Sequence, residues 1–560
     1  MAPMFPQLIH RPLSLPPERA HRTAGGIVLG LLLAFAHAAT ISGCHAPEIR
    51  ESFPLGPEMA LLERDAASPR YAEELKAFHP NDLHAELSRV RCRDSSNNFP
   101  PPPAGEAERA AWQAALERRK AIEAKFLAVV RAEYARRALK EEVEEGAEVM
   151  NAVLPTQGHA DPTLHIEAIL PAPGAEKEWP RWRGPTGQGT TTETGLPLRW
   201  SPTEHVAWKV EIPGRGNSSP VIWGDRIFLT TAFDKGKRRS LVGVRRSDGA
   251  LLFVRDAPEA APEPDVRDKN GYASATPVVD GERVVAFLGS VGLVAFDLDG
   301  NLVWRRELPA IHATHGVAAS PVICGDLAIL LQEQSENPSF GVAVDRRTGE
   351  LRWQVERPAA MGWCTPLALR IEGRDRLVWG STTAVVGLDP ATGSEIWRCS
   401  GPTIEVVPTL AFGQGLVYSA SGRSGPTIAI RPTGEGDVTS TNIAWRVVRN
   451  APHVPSPLIS GDILYQISDT GVLTAFEAKT GATIYQTRLG ARFSSSPIAG
   501  DGKVYLTSEE GDTFVVRDGR TYELLARNSI GEPVLASFAV RSGRIYIRSQ
   551  RSLFAIEGGP

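Results

Sequence analysis

The chain has 560 residues, 42% of them hydrophobic and 22% charged, with a formal net charge of −4. This is a globular composition, and its mild acidity offers no footing for nucleic acid or an anionic membrane surface. With 52 glycines and 44 prolines it is turn-rich, and 5 cysteines are too few for a disulfide-stapled secreted scaffold.

Residues 1–23 carry Arg11, Arg19 and Arg22 and no apolar run, whereas 24–39 (AGGIVLGLLLAFAHAA) are apolar or small except for His37. A positive stretch, a short apolar stretch and small residues form a secretory-signal pattern. The apolar stretch is shorter than the ~20 residues a spanning helix needs. Ile41-Ser-Gly-Cys44 follows directly and resembles the lipobox of bacterial lipoproteins. The resemblance implies that residues 1–44 are a signal peptide with lipobox and that Cys44 becomes the lipidated first residue of the mature chain. Cleavage after Ala38, or retention as an uncleaved anchor, are the alternatives. Several acyl chains, at about 0.8 kcal/mol per buried CH₂, give stable anchoring.

Residues 45–178 differ from the rest and form a helical extension with a linker. A short helix is expected over 58–78, and 97–103 is a proline-rich break. The stretch 105–150 is dense in Ala, Glu, Arg and Lys, with Trp112, Leu116, Ile122, Phe126, Val129, Val130, Tyr134 and Leu139 recurring mostly at threes and fours. That spacing predicts an amphipathic helix. Residues 153–178 read as a linker in which His159, Asp161 and His165 are solvated.

Beyond residue 217 two phrases recur. One is Ser219-Pro-Val-Ile, Thr276-Pro-Val-Val, Ser320-Pro-Val-Ile, Thr365-Pro-Leu-Ala, Pro408-Thr-Leu-Ala, Ser456-Pro-Leu-Ile, Ser496-Pro-Ile-Ala and, its proline lost, Ser537-Phe-Ala-Val. The other is a hairpin: an apolar strand, a polar turn closed by Gly300, Gly349, Gly393 or Gly481, then a strand bearing Trp304, Trp353, Trp397 or Tyr485. Such turns place glycine at positive φ, and Asp345 and Asp389 suit their first positions by bonding amides ahead of them. Four short strands per unit, at a period of roughly forty to fifty residues, predict a β-propeller. The eighth copy ends at Phe554-Ala-Ile without a fourth strand, and an orphan strand, Ala207–Ile212, precedes the first copy. The expected fold is therefore all-β: an eight-bladed β-propeller of four-stranded blades over 179–560, closed by that N-terminal strand, with an α-helical N-terminal extension. Sharing one sheet between the two termini leaves the ring no free edge.

These phrases resemble the pyrroloquinoline-quinone-type repeat family, whose recurrent hairpin is A-x-D-x-x-T-G-x-x-x-W. The lead-in Trp179-Pro-Arg-Trp-Arg-Gly-Pro-Thr-Gly-Gln-Gly and Leu196-Pro-Leu-Arg-Trp-Ser is similar to the opening of quinone-binding-like bacterial propellers. The chain also resembles the propeller lipoproteins of outer-membrane β-barrel assembly. The resemblance covers about 179 to the C-terminus and is specific for fold rather than function.

Each innermost strand begins at the rim of the axial channel. The residues just ahead of the eight Ser/Thr steps are Asn217, Tyr272, His315, Trp363, Glu405, His453, Arg492 and Glu532, one from each blade. They form a candidate axial ring for a small polar or aromatic ligand or cofactor. The plainer reading is a polar axis filled with water. His315 and His453 suit ligand or base roles, Arg492 suits a carboxylate, and His312 reads as a loop residue. Two functions follow. The favoured one is an exported, lipid-anchored, protein-binding or assembly scaffold at the cell envelope, facing the periplasm, with outer-membrane proteins as partners and no cofactor. The alternative, which the resemblance implies, is a quinone-dependent dehydrogenase of alcohols or sugars holding pyrroloquinoline quinone and Ca²⁺ between an aromatic ring and a vicinal disulfide. Trp363 suits the aromatic side, and Glu405 or Glu532 suit oxygen ligands. The sequence has no adjacent Cys pair and no CxxC. Cys324, Cys364 and Cys399 read as small buried hydrophobes, with a Cys324–Cys364 bridge as the other reading.

Overall fold

The computed structural model describes residues 163–558 apart from short loop stretches, the pair Leu154–Pro155, and helical positions between 109 and 129. Cys44, the rest of 1–44 and the expected helix at 58–78 lie outside the described residues. The chain divides into two compact units, Met1–Glu148 and Val149–Pro560. In the first, every described position between 109 and 129 is helical, and Ala115, Ile122 and Val129, seven residues apart, are its less exposed positions. That is the one-sided burial an amphipathic sequence produces.

The second unit is a ring of eight sheets, antiparallel but for one added pairing in blade 4. Blade 1 is Val221–Trp223, Arg226–Phe233, Arg238–Arg245 and Leu251–Asp256, and blade 8 is Ala539–Arg541, Arg544–Arg548, Ser552–Glu557 and, as its outermost strand, Val206–Glu211. Trp208 lies opposite Ala555 and Lys209 opposite Phe554, so the first strand of the propeller completes the last blade. The innermost strands are those that follow the Ser/Thr steps: Val278–Val279, Val322–Cys324, Leu367–Ile371, Ala411–Gly413, Leu458–Ser460 and Ile498–Gly500 belong to blades 2 to 7. Two blades gain strands. Ile166–Ala168 and Gly436–Asp437 extend blade 4, and Leu154–Pro155 pairs with the outer strand of blade 5.

Each turn aromatic hides its ring in the neighbouring blade. Gly300, Gly349, Gly393 and Gly481 have φ between +73° and +84°. A Cβ on Gly349 would meet Trp304 of the preceding blade at 2.7 Å, and one on Gly393 would meet Trp353 at 2.7 Å. The same contact joins Trp445 to Gly481 and Trp208 to Gly249. The indole N–H of each also reaches that neighbour: Trp208 donates to Arg246 O (3.0 Å), Trp304 to Arg346 O (3.1 Å), Trp353 to Pro390 O (2.9 Å) and Trp445 to Ala478 O (2.9 Å). Trp397 departs from this pattern, its buried Nε1 finding no partner among the described residues. In blade 5 the turn it would meet is replaced by a longer segment containing Gly436–Asp437, which pairs with Trp397 and Arg398.

Cys324, Cys364 and Cys399 are free and buried, so the bridge between the first two does not form. Burial pushes all three thiols up to about 12.

Candidate functional site

Eight hydroxyl residues circle the axis at the start of the inner strands. Ser219 N–H donates to Thr276 Oγ1, Thr276 to Ser320 Oγ, Ser320 to Thr365 Oγ1, Thr409 to Ser456 Oγ, Ser456 to Ser496 Oγ, Ser496 to Ser537 Oγ and Ser537 back to Ser219 Oγ, all at 2.9–3.1 Å. At the remaining position, Thr409 Oγ1 accepts the indole N–H of Trp182 (3.1 Å). The belt settles buried amides that lie at the convergence of the blades, where no β-ladder reaches them.

Trp182 belongs to a lead-in segment, 178–196, that runs beneath the belt and touches all eight blades. Trp179 pairs with Ile222 of blade 1, Pro180 O accepts Val279 N–H of blade 2, and Arg181 and Gly187 lie against Val322 and Leu367 of blades 3 and 4. Gln188 Oε1 accepts Phe412 N–H of blade 5, Arg183 Nη2 donates to Pro457 O of blade 6, Thr190 pairs with Ala499 of blade 7, and Glu178 holds Arg541 of blade 8. Arg181 and Arg183 are buried, which pushes their pKa values down to about 10 and about 9. Both remain cationic at neutral pH, and their N–H groups cap carbonyls of Pro185, Gln188 and Pro457.

Above the belt the axis holds a cavity of about 430 Å³. Trp182 and the hydroxyls of Thr276, Ser320, Thr365, Thr409, Ser456 and Ser496 floor it, and Asn217, His315, Trp363, Glu405, His453 and Arg492 wall it. Six of the eight residues expected at the axis thus share one cavity. Tyr272 and Glu532 are absent from its lining. The Tyr272 hydroxyl accepts Val266 N–H (3.1 Å), and its ring lies under the Arg239 guanidinium (5.3 Å). The Glu532 carboxylate turns into blade 8, where it accepts from the Ser549 and Ser552 hydroxyls and pairs with Lys209 of the closing strand (2.7 Å). Burial alone would raise its pKa, but those bonds win and hold it below the ordinary range.

Within the cavity, the Trp363 indole N–H donates to Gly316 O (2.7 Å), and its ring meets His315 edge-on at 6.1 Å. His453 Nε2 lies 3.5 Å from Glu405, which holds a left-handed backbone at φ +62°. Asp469 Oδ2 accepts His453 N–H (2.7 Å). Lys269 pairs with Glu509 (2.6 Å), tying loops of blades 2 and 7 across the mouth. Glu509 would be raised by burial, but the bonds from Lys269 and Ser494 outweigh that and lower its pKa. Trp182, Lys269, Asp469 and Glu509 were missed by reading only the steps into the inner strands. A signal existed in the hairpins Ser468-Asp-Thr-Gly471 and Ser508-Glu-Glu-Gly511, which repeat one pattern at the mouth.

The family model described as outer membrane protein assembly factor BamB matches residues 190–337, 311–453 and 435–525. The chain belongs to this family of quinone-type repeat propellers. No curated protein sequence matches it. Among solved structures, BamB from Moraxella catarrhalis is 16% identical, with a TM-score of 0.46 over 63% of this chain and 97% of that one. The quinohemoprotein alcohol dehydrogenase ADHIIG from Pseudomonas putida HK5 is 11% identical, with a TM-score of 0.52 over 69% and 81% of the two chains. That from Comamonas testosteroni is 10% identical, with a TM-score of 0.50 over 69% and 82%. The likeness to the dehydrogenases is one of fold. The axial residues of this BamB-family chain do not fit pyrroloquinoline quinone with Ca²⁺. The three described thiols are buried separately within blades. Among the described residues no three His, Cys, Asp or Glu side chains converge as a metal site, and the cavity carboxylates face Lys269, His453 and backbone amides instead.

Proposed function

We propose that this protein is an exported, lipid-anchored scaffold that binds partner proteins during outer-membrane protein assembly. The observation that carries the reading is the family match, which spans 190–525. Two features agree with it. Residues 1–44 read as a signal ending in a lipidated cysteine, and a ring of eight blades turns two broad loop faces to its surroundings. Its axis offers protein-binding loops without the donor set of the quinone enzymes.

The test places photo-cross-linking residues at Lys235 and Glu510, both in exposed hairpins, of the full chain in its own envelope. Adducts with the outer-membrane barrel-assembly protein support the reading. No adduct at either position, together with a quinone absorption band and alcohol-dependent dye reduction after adding the quinone and Ca²⁺, overturns it. Localisation has its own test: Cys44→Ala should move the chain out of the membrane fraction.

A further inference from the structure

The floor of the axial cavity carries hydrogen-bond donors that the protein does not use. Thr276, Thr365, Thr409, Ser456 and Ser496 are buried and line it. Each oxygen already accepts one N–H, from Ser219, Ser320, the Trp182 indole, Thr409 and Ser456 respectively. Each hydroxyl therefore has its proton left to give, and among the described residues none of these five protons has an acceptor. Buried donors call for acceptors, and the open side of this ring is the cavity.

The walls limit what can supply those acceptors. Lys269 is matched by Glu509 and Glu405 faces His453. Arg492 makes no direct ion pair among the described residues, but its charge helps hold the Glu509 pKa down, and Asp469 uses only Oδ2, on the amides of His453 and Val454. With Lys269 and Arg492 set against Glu405, Asp469 and Glu509, the lining lacks the excess of positive charge that a strong anion needs. The indole N–H groups of Trp182 and Trp363 are already bonded, which leaves their rings as apolar surface.

Hydroxyl donors, carboxylate and amide acceptors and aromatic rings, interleaved in a cavity of about 430 Å³, match a neutral polyhydroxylated molecule. Each of its hydroxyls donates to an acid or amide oxygen and accepts from a floor hydroxyl, while its C–H face meets indole. We propose that the axial cavity is a binding site for a carbohydrate of one or two rings. This does not depend on the scaffold reading.

The test is calorimetric titration of the full chain, in a detergent without sugar, with glucose and with maltose, and with succinate and phosphate as opposed chemistries. Millimolar or tighter affinity for one of the sugars is expected, with a higher melting temperature on its addition. Ala318 is half-buried and lines the cavity, so Ala318→Leu should weaken sugar binding about tenfold or more at an unchanged melting temperature. Thr365→Val, which removes one floor hydroxyl at constant shape, supplies a second variant. The proposal falls if neither sugar gives heat or stabilisation. It falls equally if both variants bind sugar as the native chain does, or if succinate or phosphate bind instead and lose affinity in Arg492→Ala.

Discussion

Replacing Trp208 tests whether the ring is held by its closure. Trp208 sits on the strand that the N-terminal side gives to blade 8, half-buried, with its ring 5.9 Å from Tyr546 and its N–H on Arg246 O of blade 1. It thus joins three things: the closing strand, the last blade and the first. Truncating a fully buried Trp costs about 3–5 kcal/mol, and partial exposure brings the packing share here to about 2. The hydrogen bond adds about 1 kcal/mol, since its loss leaves the Arg246 carbonyl without that donor. Trp208→Phe should therefore destabilise by about 1 kcal/mol and Trp208→Ala by about 3. The assay is urea unfolding of the full chain followed by circular dichroism, with Trp304→Ala as the comparison, because Trp304 makes the same contact between blades 2 and 3. If Trp208→Ala leaves the midpoint unchanged while Trp304→Ala lowers it, the closing strand is not what secures the ring.

Asp345 is held down to about 2, first by its bond from Arg352 and then by the amides of Arg347 and Thr348. A depressed pKa gives stability that is present above the ordinary carboxylate value of about 3.9 and fades as pH falls through the folded one. Asp345→Asn should lose stability at neutral pH, and its urea midpoint should converge on that of the native chain in acid; equal midpoints throughout would refute the assignment. Glu333 behaves oppositely. Burial raises its pKa despite bonds from Ser381 and Thr382. Its contribution is best below about pH 4.3 and declines as pH rises through that value toward the folded pKa. Glu333→Gln should flatten this decline, and an unchanged slope of midpoint against pH would count against it. In a Cys44→Ser, Cys92→Ser variant, the three remaining thiols should resist a maleimide at pH near 8 until urea unfolds the chain; prompt native labelling would contradict their burial.

The repeat made the ring legible because each of its devices is local. A glycine at positive φ, an acid at the turn and an aromatic four residues after the glycine can be read from one hairpin, and Gly349, Asp345 and Trp353 behave as that pattern demands. The closure was legible by subtraction, since the strand missing after Phe554 and the one spare at Trp208 complement each other. What sequence could not supply was proximity between distant segments. Lys269 and Glu509 are 240 residues apart in sequence, and nothing local says that their loops meet across the mouth. The lead-in reads as a motif, yet its course beneath the belt is set by eight separate blade contacts. Tyr272 and Glu532 occupy the same step as Asn217 or His315, but Gly236 and the Arg239 guanidinium take up the first and Lys209 the second.

The hydroxyl belt accounts for a detail of the repeat that proline alone does not. The Ser/Thr-Pro step keeps its proline in six copies, but Ser537 is followed by Phe538 and Thr409 is preceded by Pro408. The hydroxyl survives in all eight. Proline removes an N–H that the inner strand does not use, so its loss at one blade adds a single donor to be placed. In seven copies the hydroxyl receives the N–H of the previous blade, and at Thr409 it receives the Trp182 indole, so its loss would strand a buried donor and open the belt. The circle Ser219–Thr276–Ser320–Thr365 and onward to Ser537 is thus the constraint, with proline its usual companion. The same oxygen count leaves the protons of Thr276, Thr365, Thr409, Ser456 and Ser496 facing the axis, while Ser320 gives its own to Ala318 O. The bonding that seals the blades together therefore also makes the cavity floor a donor surface.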